Sequence, residues 1–162
     1  MKKILFMLLI SAMLLCSCGK FNPDDYPWEL TESDVVPYSD NAYSLEIIEG
    51  TLTNTGCKVL ISKNNDEDEY LLCGEDFSVE LLGDKKWYKI QPLSEYLMFP
   101  ATGWFFNNDN PNGEQEMDWS KMYGELPAGT YRIVKNFRIM SGEVGVFNED
   151  SAYNFCVEFT IE

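Results

Sequence analysis

The 162-residue chain has no histidine. That removes the commonest general base and the commonest metal ligand. Basic side chains are scarce: 12 Lys and Arg stand against 27 Asp and Glu, a formal net charge of −15. Nucleic acid, whose phosphates need Lys and Arg, is therefore excluded as a partner. Adhesion to anionic lipid by charge alone is excluded on the same ground. The acidity reads most simply as a soluble, self-repelling surface. Also missing are a Gly-x-Ser-x-Gly elbow, a phosphate-cradling glycine loop and a His-Glu-x-x-His pair. No apolar run reaches the roughly 20 residues that a membrane-crossing helix requires. Cysteines beyond residue 18 number three, Cys57, Cys73 and Cys156, so at most one internal bridge can form. With no imidazole to pair with, a cysteine nucleophile lacks its usual activator. No enzymatic activity, cofactor or metal is expected.

What is present begins at the N-terminus. Met1-Lys2-Lys3 is followed by an apolar run from Ile4 to Leu15, broken only by Ser11. These are the charged and apolar regions of a signal peptide. Leu15-Cys16-Ser17-Cys18-Gly19 resembles a lipobox. The resemblance implies residues 1–17 as a lipoprotein signal peptide, cleavage before Cys18, and a diacylglyceryl group on that cysteine. An ordinary secretory peptide, releasing a soluble protein, is the alternative. Acyl chains contribute ~0.8 kcal/mol per buried CH₂, so two or three chains hold a protein firmly. The expected location is the extracytoplasmic face of a cell membrane. Removing Lys2 and Lys3 deepens the net charge to −17.

Residues 18–42 are rich in Pro, Asp, Glu and Ser, as in Asn22-Pro23-Asp24-Asp25 and Thr31-Glu32-Ser33-Asp34. This composition reads as an acidic linker holding the domain off the membrane. Tyr26-Pro27-Trp28 is a candidate for a short element packed on the domain.

From Tyr43 the chain reads as short strands separated by turn residues. Tyr43–Ile47, Cys57–Ser62, Phe77–Leu82, Lys85–Ile90, Gln115–Trp119 and Thr130–Phe137 show extended patterning, and Tyr70–Leu72 and Met98–Phe106 are shorter or interrupted candidates. The last segment alternates most clearly, with Tyr153, Phe155, Val157, Phe159 and Ile161 on one face and Cys156 on the other. Cys57 falls on a core face, which weakens a pairing with Cys156. Gly83-Asp84 reads as a short hairpin turn. Ser120–Tyr123 reads as one helical turn ended by Gly124. The expectation for 43–162 is an all-β fold, an antiparallel immunoglobulin-like sandwich of seven to nine strands, with an up-and-down barrel as competitor.

Two stretches go beyond patterning: Cys73-Gly74-Glu75-Asp76-Phe77 with the Lys86-Trp87-Tyr88 strand, and Trp119 to Lys135, which includes Tyr123-Gly124 and Leu126-Pro127-Ala128-Gly129-Thr130-Tyr131-Arg132. Together they resemble bacterial immunoglobulin-like domains of exported Gram-positive lipoproteins. The chain departs from that pattern at Cys73, where an aromatic is usual, and in the Asn-rich loop after Phe105. The resemblance implies structural roles. Tyr131 resembles a tyrosine corner, Gly129 would supply a positive φ, and Trp87 and Trp119 would fill the core.

Three candidate sites remain. Asn64 to Glu69 sets six oxygen-bearing side chains in a row, enough for a calcium loop or simply for a solvated hairpin tip. Asn107 to Glu116 is open to the same two readings. Trp104-Phe105-Phe106 could present aromatic anchors to a partner, or could be core residues of a strand. The function expected is a surface-tethered, non-enzymatic binding or adhesion module for a protein or surface polymer. One alternative is a proteinase inhibitor, because the intracellular proteinase inhibitor family of bacilli has a similar β-sandwich. Another is a structural accessory of a membrane assembly.

Overall fold

The computed structural model describes residues 21–94, 98–141 and 152–162. The signal peptide and Cys18 lie outside these residues. Ten strands are seen among them: β1 Leu30–Glu32, β2 Tyr43–Ile47, β3 Gly56–Lys63, β4 Glu69–Cys73, β5 Ser78–Gly83, β6 Lys86–Ile90, β7 Trp104–Phe106, β8 Asn112–Asp118, β9 Gly129–Ser141 and β10 Ala152–Ile161. A single helical turn, α1, covers Ser120–Tyr123 and ends at Gly124, whose φ is 74°.

A larger sheet runs β1-β6-β5-β9-β4-β7, with β10 on the other side of β9. A smaller sheet runs β2-β3-β8. All strand pairings are antiparallel. The 13-residue β9 pairs with β5 through Tyr131–Val134 and with β4 through Phe137–Ser141. Period-two alternation turns Tyr131, Ile133 and Phe137 of β9 inward, toward Val59, Ile61 and Met117 of the smaller sheet. Trp119 stacks on Phe159 at 5.4 Å, and Tyr131 stacks on the same ring at 5.6 Å. The Tyr131 hydroxyl donates to Pro127 O at 2.9 Å, four residues upstream.

Several details differ from the sequence-based expectation, each for a local reason. The β5–β6 turn is centred on Asp84 and Lys85, with φ of 47° and 66°, a pattern that matches strand twist. Gly83 ends β5, and a Cβ there would collide with the Phe21 ring. Gly129 does not have a positive φ. It is small because the Tyr131 ring lies over it, and a Cβ would meet that ring at 3.2 Å. Trp87 is not in the core. It pairs with Leu82 on the outer face of the larger sheet, half-buried, with the Arg132 guanidinium 4.6 Å above its ring. Between Met98 and Phe106 only Trp104–Phe106 is strand, because Pro100 removes a donor and Gly103 weakens pairing. β8 starts earlier than expected, since backbone pairing of Asn112 and Gly113 with Ser62 and Ile61 overrides their turn preference.

The largest correction concerns the acidic segment expected as a linker over residues 18–42. From Phe21 it is packed on the body. Trp28 is buried and its indole N–H donates to Tyr123 O at 2.8 Å. β1 pairs with β6 and becomes the tenth strand. The chain then crosses the outer face of the larger sheet as a strap. Ser33 N donates to Trp87 O, and Tyr38 N reaches Asn154 O on β10. Beneath the strap lies a buried ion pair, Arg132 to Glu80, at 2.6 Å. Ser33 Oγ donates to Glu80 at 2.6 Å and Arg132 donates to Val35 O at 3.4 Å. Charges on that face would ordinarily meet water; here the strap supplies the partners that a buried pair requires. Tyr26-Pro27-Trp28 packs on the domain as its sequence suggested, but composition hid the rest because apolar anchors are few among many acids.

Candidate partner-binding edge

β7 is an edge strand of the larger sheet, three residues long. Its register sets Trp104 opposite Cys73, Phe105 opposite Leu72 and Phe106 opposite Leu71. Period-two geometry therefore splits the aromatic triplet. Phe106 is a core residue, which corrects its reading as a partner anchor. Trp104 is half-buried, with its indole N–H donated to Glu75 Oε1 at 2.8 Å. Phe105 alone of the three faces out, half of its surface exposed. Met98 and Phe99, exposed at 94% and 38%, precede it in the chain. A cavity of about 270 Å³ opens beside this edge, lined by Leu72, Cys73, Ala101, Gly103 and Arg138 among others.

A polar cluster backs the edge. Glu75 accepts from Trp104 on one carboxylate oxygen and from Gln115 Nε2, at 2.6 Å, on the other. Next to it Lys135 is fully buried on the inner face of β9, in line with Tyr131, Ile133 and Phe137. Its ammonium donates to Gly74 O at 2.7 Å and Asp76 O at 3.1 Å. It thus fills the gap where the chain leaves β4 and re-enters the sheet as β5. Burial pushes the Lys135 pKa below its usual value, against the pull of Cys73, Asp76 and Glu75.

The two oxygen-rich loops come together at the far end of β3. Lys63 Nζ donates to Asn65 O at 2.7 Å, Asn65 Oδ1 at 2.6 Å, Glu67 O at 3.0 Å and Asn108 Oδ1 at 2.6 Å. The oxygens that a hard cation would require thus hold the chain's own ammonium. Asn107 Oδ1 accepts from Asp109 N and Asn110 N and shapes the second loop. Glu69 closes the first by accepting from the Tyr43 hydroxyl and from Asn65. Among the described residues, no group of three His, Cys, Asp or Glu side chains is placed to hold a metal ion.

The three cysteines are free thiols, with Cys57 and Cys73 buried and Cys156 partly so. Cys57 and Cys73 lie on inner faces, while Cys156 lies on the outer face of β10. Burial pushes the Cys57 thiol up to about 12 and the Cys73 and Cys156 thiols to about 11. All three are protonated at neutral pH and are poor nucleophiles.

Sequence reasoning missed both lysines. Lys135 was in principle readable, since alternation from Tyr131 through Phe137 places it inward. Lys63 carries no such signal, because its partners come from separate loops. The signature residues divide as follows: Trp119, Tyr123 and Tyr131 lie in the core, Gly124 ends α1, Gly129 opens β9, and Trp87 is on the outer face. Tyr123 also accepts from Val79 N through its hydroxyl at 3.4 Å.

Residues 39–160 match the family model described as a bacterial Ig-like domain. No curated protein matches. One solved structure is similar in outline: self-complemented MyfA, the major subunit of Myf fimbriae from Yersinia enterocolitica, in complex with galactose. It is 12% identical, covers 74% of this chain and 98% of its own, and superposes with a TM-score of 0.37, too loosely to carry weight.

Proposed function

Because the chain belongs to the bacterial Ig-like domain family, by a match that covers residues 39–160, we propose that it is a lipid-tethered, extracytoplasmic, non-enzymatic binding module. The partner is a protein or a surface polymer. Binding takes place at the β7 edge of the larger sheet.

The observation that carries this reading is Phe105, half exposed on the edge strand β7, with a cavity of about 270 Å³ beside that edge. An exposed apolar side chain on a strand edge is a recognition feature, since such an edge offers both main-chain groups and a side-chain anchor. The Trp104–Glu75–Gln115 cluster behind it supports a rigid presentation. The absence of histidine and the protonated, buried thiols favour binding over chemistry. Cys18, at the lipobox-like stretch, supports the tether and the extracytoplasmic location.

Two measurements test the reading. Mass analysis of the mature N-terminus finds acylated Cys18, and Cys18→Ser releases the protein from the membrane. Chemical cross-linking in the source cell captures the same partner with the native chain and loses it with Phe105→Asp. Retention of that partner by Phe105→Asp contradicts the β7 edge as its site. Inhibition of a proteinase panel by the purified chain would favour the inhibitor alternative instead.

A further inference from the structure

The docked N-terminus fixes how the domain stands on the membrane. Phe21 packs against Tyr88 at 4.9 Å and Tyr26 at 5.7 Å. It lies over Gly83, where any Cβ would strike its ring, so the β5–β6 hairpin has a seat shaped for this side chain. The seat continues into the short 3-10 turn Pro23–Asp25, where the Asn22 side chain accepts from Asp24 N. Only Gly19 and Lys20 separate Phe21 from Cys18. Three Cα–Cα steps span at most about 11 Å. A free 25-residue leash would instead place the domain at an r.m.s. distance of roughly 28 Å, in any orientation.

We infer that the β5–β6 hairpin end of the sandwich abuts the lipid headgroups, held there by the Phe21 seat. The inference rests on the proposed acylation of Cys18. The same end carries the Asn54–Thr55 turn, which Leu126 N and Trp119 join by donating to Asn54 O and Thr55 O, and the C-terminal residue Glu162, next to Ile161 opposite Gly129. Its charges are mixed: Lys85 and Lys86 are offset by Asp24, Asp25, Asp84 and Glu162. The orientation therefore comes from the tether rather than from attraction to anionic lipid, and salt leaves it unchanged. The 13 residues of β9 then carry the opposite end, with the Lys63-centred loops, about 40 Å further out.

The test uses the full acylated chain in phosphatidylcholine–phosphatidylglycerol vesicles that contain a nickel-chelating lipid. Spin labels are placed singly at Lys86→Cys, Glu162→Cys and Asp68→Cys, on a Cys156→Ser background whose thermal transition verifies the fold. The nickel surface relaxes the labels at 86 and 162 several-fold more than the label at 68, and added salt does not change the contrast. Phe21→Ala, still acylated, loses most of that contrast. Equal relaxation at all three positions in an acylated protein overturns the inference and leaves the tether reading intact. An unacylated mature N-terminus instead overturns the tether reading itself. Contrast that persists in Phe21→Ala removes Phe21 as its cause.

Discussion

The two ends of the sandwich are closed in different ways. At the end that holds Trp119 and Tyr131, large rings fill the space between sheets, and each spends its single polar atom on a loop carbonyl: Trp119 on Asn54 O at 2.9 Å and Tyr131 on Pro127 O at 2.9 Å. At the far end one ammonium, Lys63, gathers four oxygens from two loops. The first closure draws on apolar area, which changes little with salt or pH. The second draws on charge-assisted hydrogen bonds laid over the rings of Tyr38, Tyr43, Phe137, Tyr153 and Phe155. Ring packing therefore carries stability at both ends, while the Lys63 hydrogen bonds carry the shape of the two loops. A loop pair organised around a fixed cation is ordered without being part of the core.

That contrast can be broken by substitution. Trp119→Ala should be the more damaging change, at about 3–5 kcal/mol, since it empties a fully buried indole site. Lys63→Met should lose less, about 1–3 kcal/mol, because its oxygens can turn to water once the loops loosen. Chemical denaturation of both variants checks the order, and a larger loss at Lys63 reverses the account of the two ends. Tyr131→Phe keeps the ring and removes one hydrogen bond, so a loss of about 0.5–1.5 kcal/mol is expected in the same assay.

Titration sharpens the comparison at alkaline pH. The Cys57 thiol is raised in the fold from 9.0 to about 12. Its neutral form is the one the fold favours, so its contribution is complete below pH 9 and is lost as pH rises from 9 toward 12. Lys135 acts in the opposite direction. Its folded pKa is depressed below 10.5, so the penalty for burying its charge is lifted as pH climbs through the folded value toward 10.5. Thermal melts should therefore show less alkaline loss for Cys57→Ala than for the native chain, and more for Lys135→Met. Phe105→Ser, at the exposed edge, should change stability least, within ~0.5 kcal/mol. A larger change would mean that Phe105 packs on the body rather than facing a partner.

Much of the architecture was legible in the sequence. Strand alternation in Tyr153 to Ile161 and the spacing of Leu126 to Tyr131 both point to the sandwich, because period two and turn chemistry are local properties. The helical turn at Ser120–Tyr123 was readable for the same reason. What stayed hidden depends on contacts between distant residues. The strap reads as polar linker because its backbone finds β6 and β10, which no local pattern encodes. Trp87 reads as core because an aromatic in a strand usually is, yet its alternation partner Tyr88 takes the inward position. The aromatic triplet at Trp104 to Phe106 reads as a patch only if period two is ignored. The Lys63 cage joins residues 63 and 108, and neither loop alone reveals it.

Docking of residues 21–38 on the body is what the anchored orientation, through the Phe21 seat, and the buried Arg132–Glu80 pair, through the strap, both depend on. Native-state amide hydrogen exchange of the mature chain tests it most directly. Ser33 N, bonded to Trp87 O, Tyr38 N, bonded to Asn154 O, and Gln91 N, bonded to Glu29 O, are expected to exchange as slowly as the amides of β5 and β6. Exchange of these three at the rate of an unstructured linker, with β5 and β6 still protected, would contradict it.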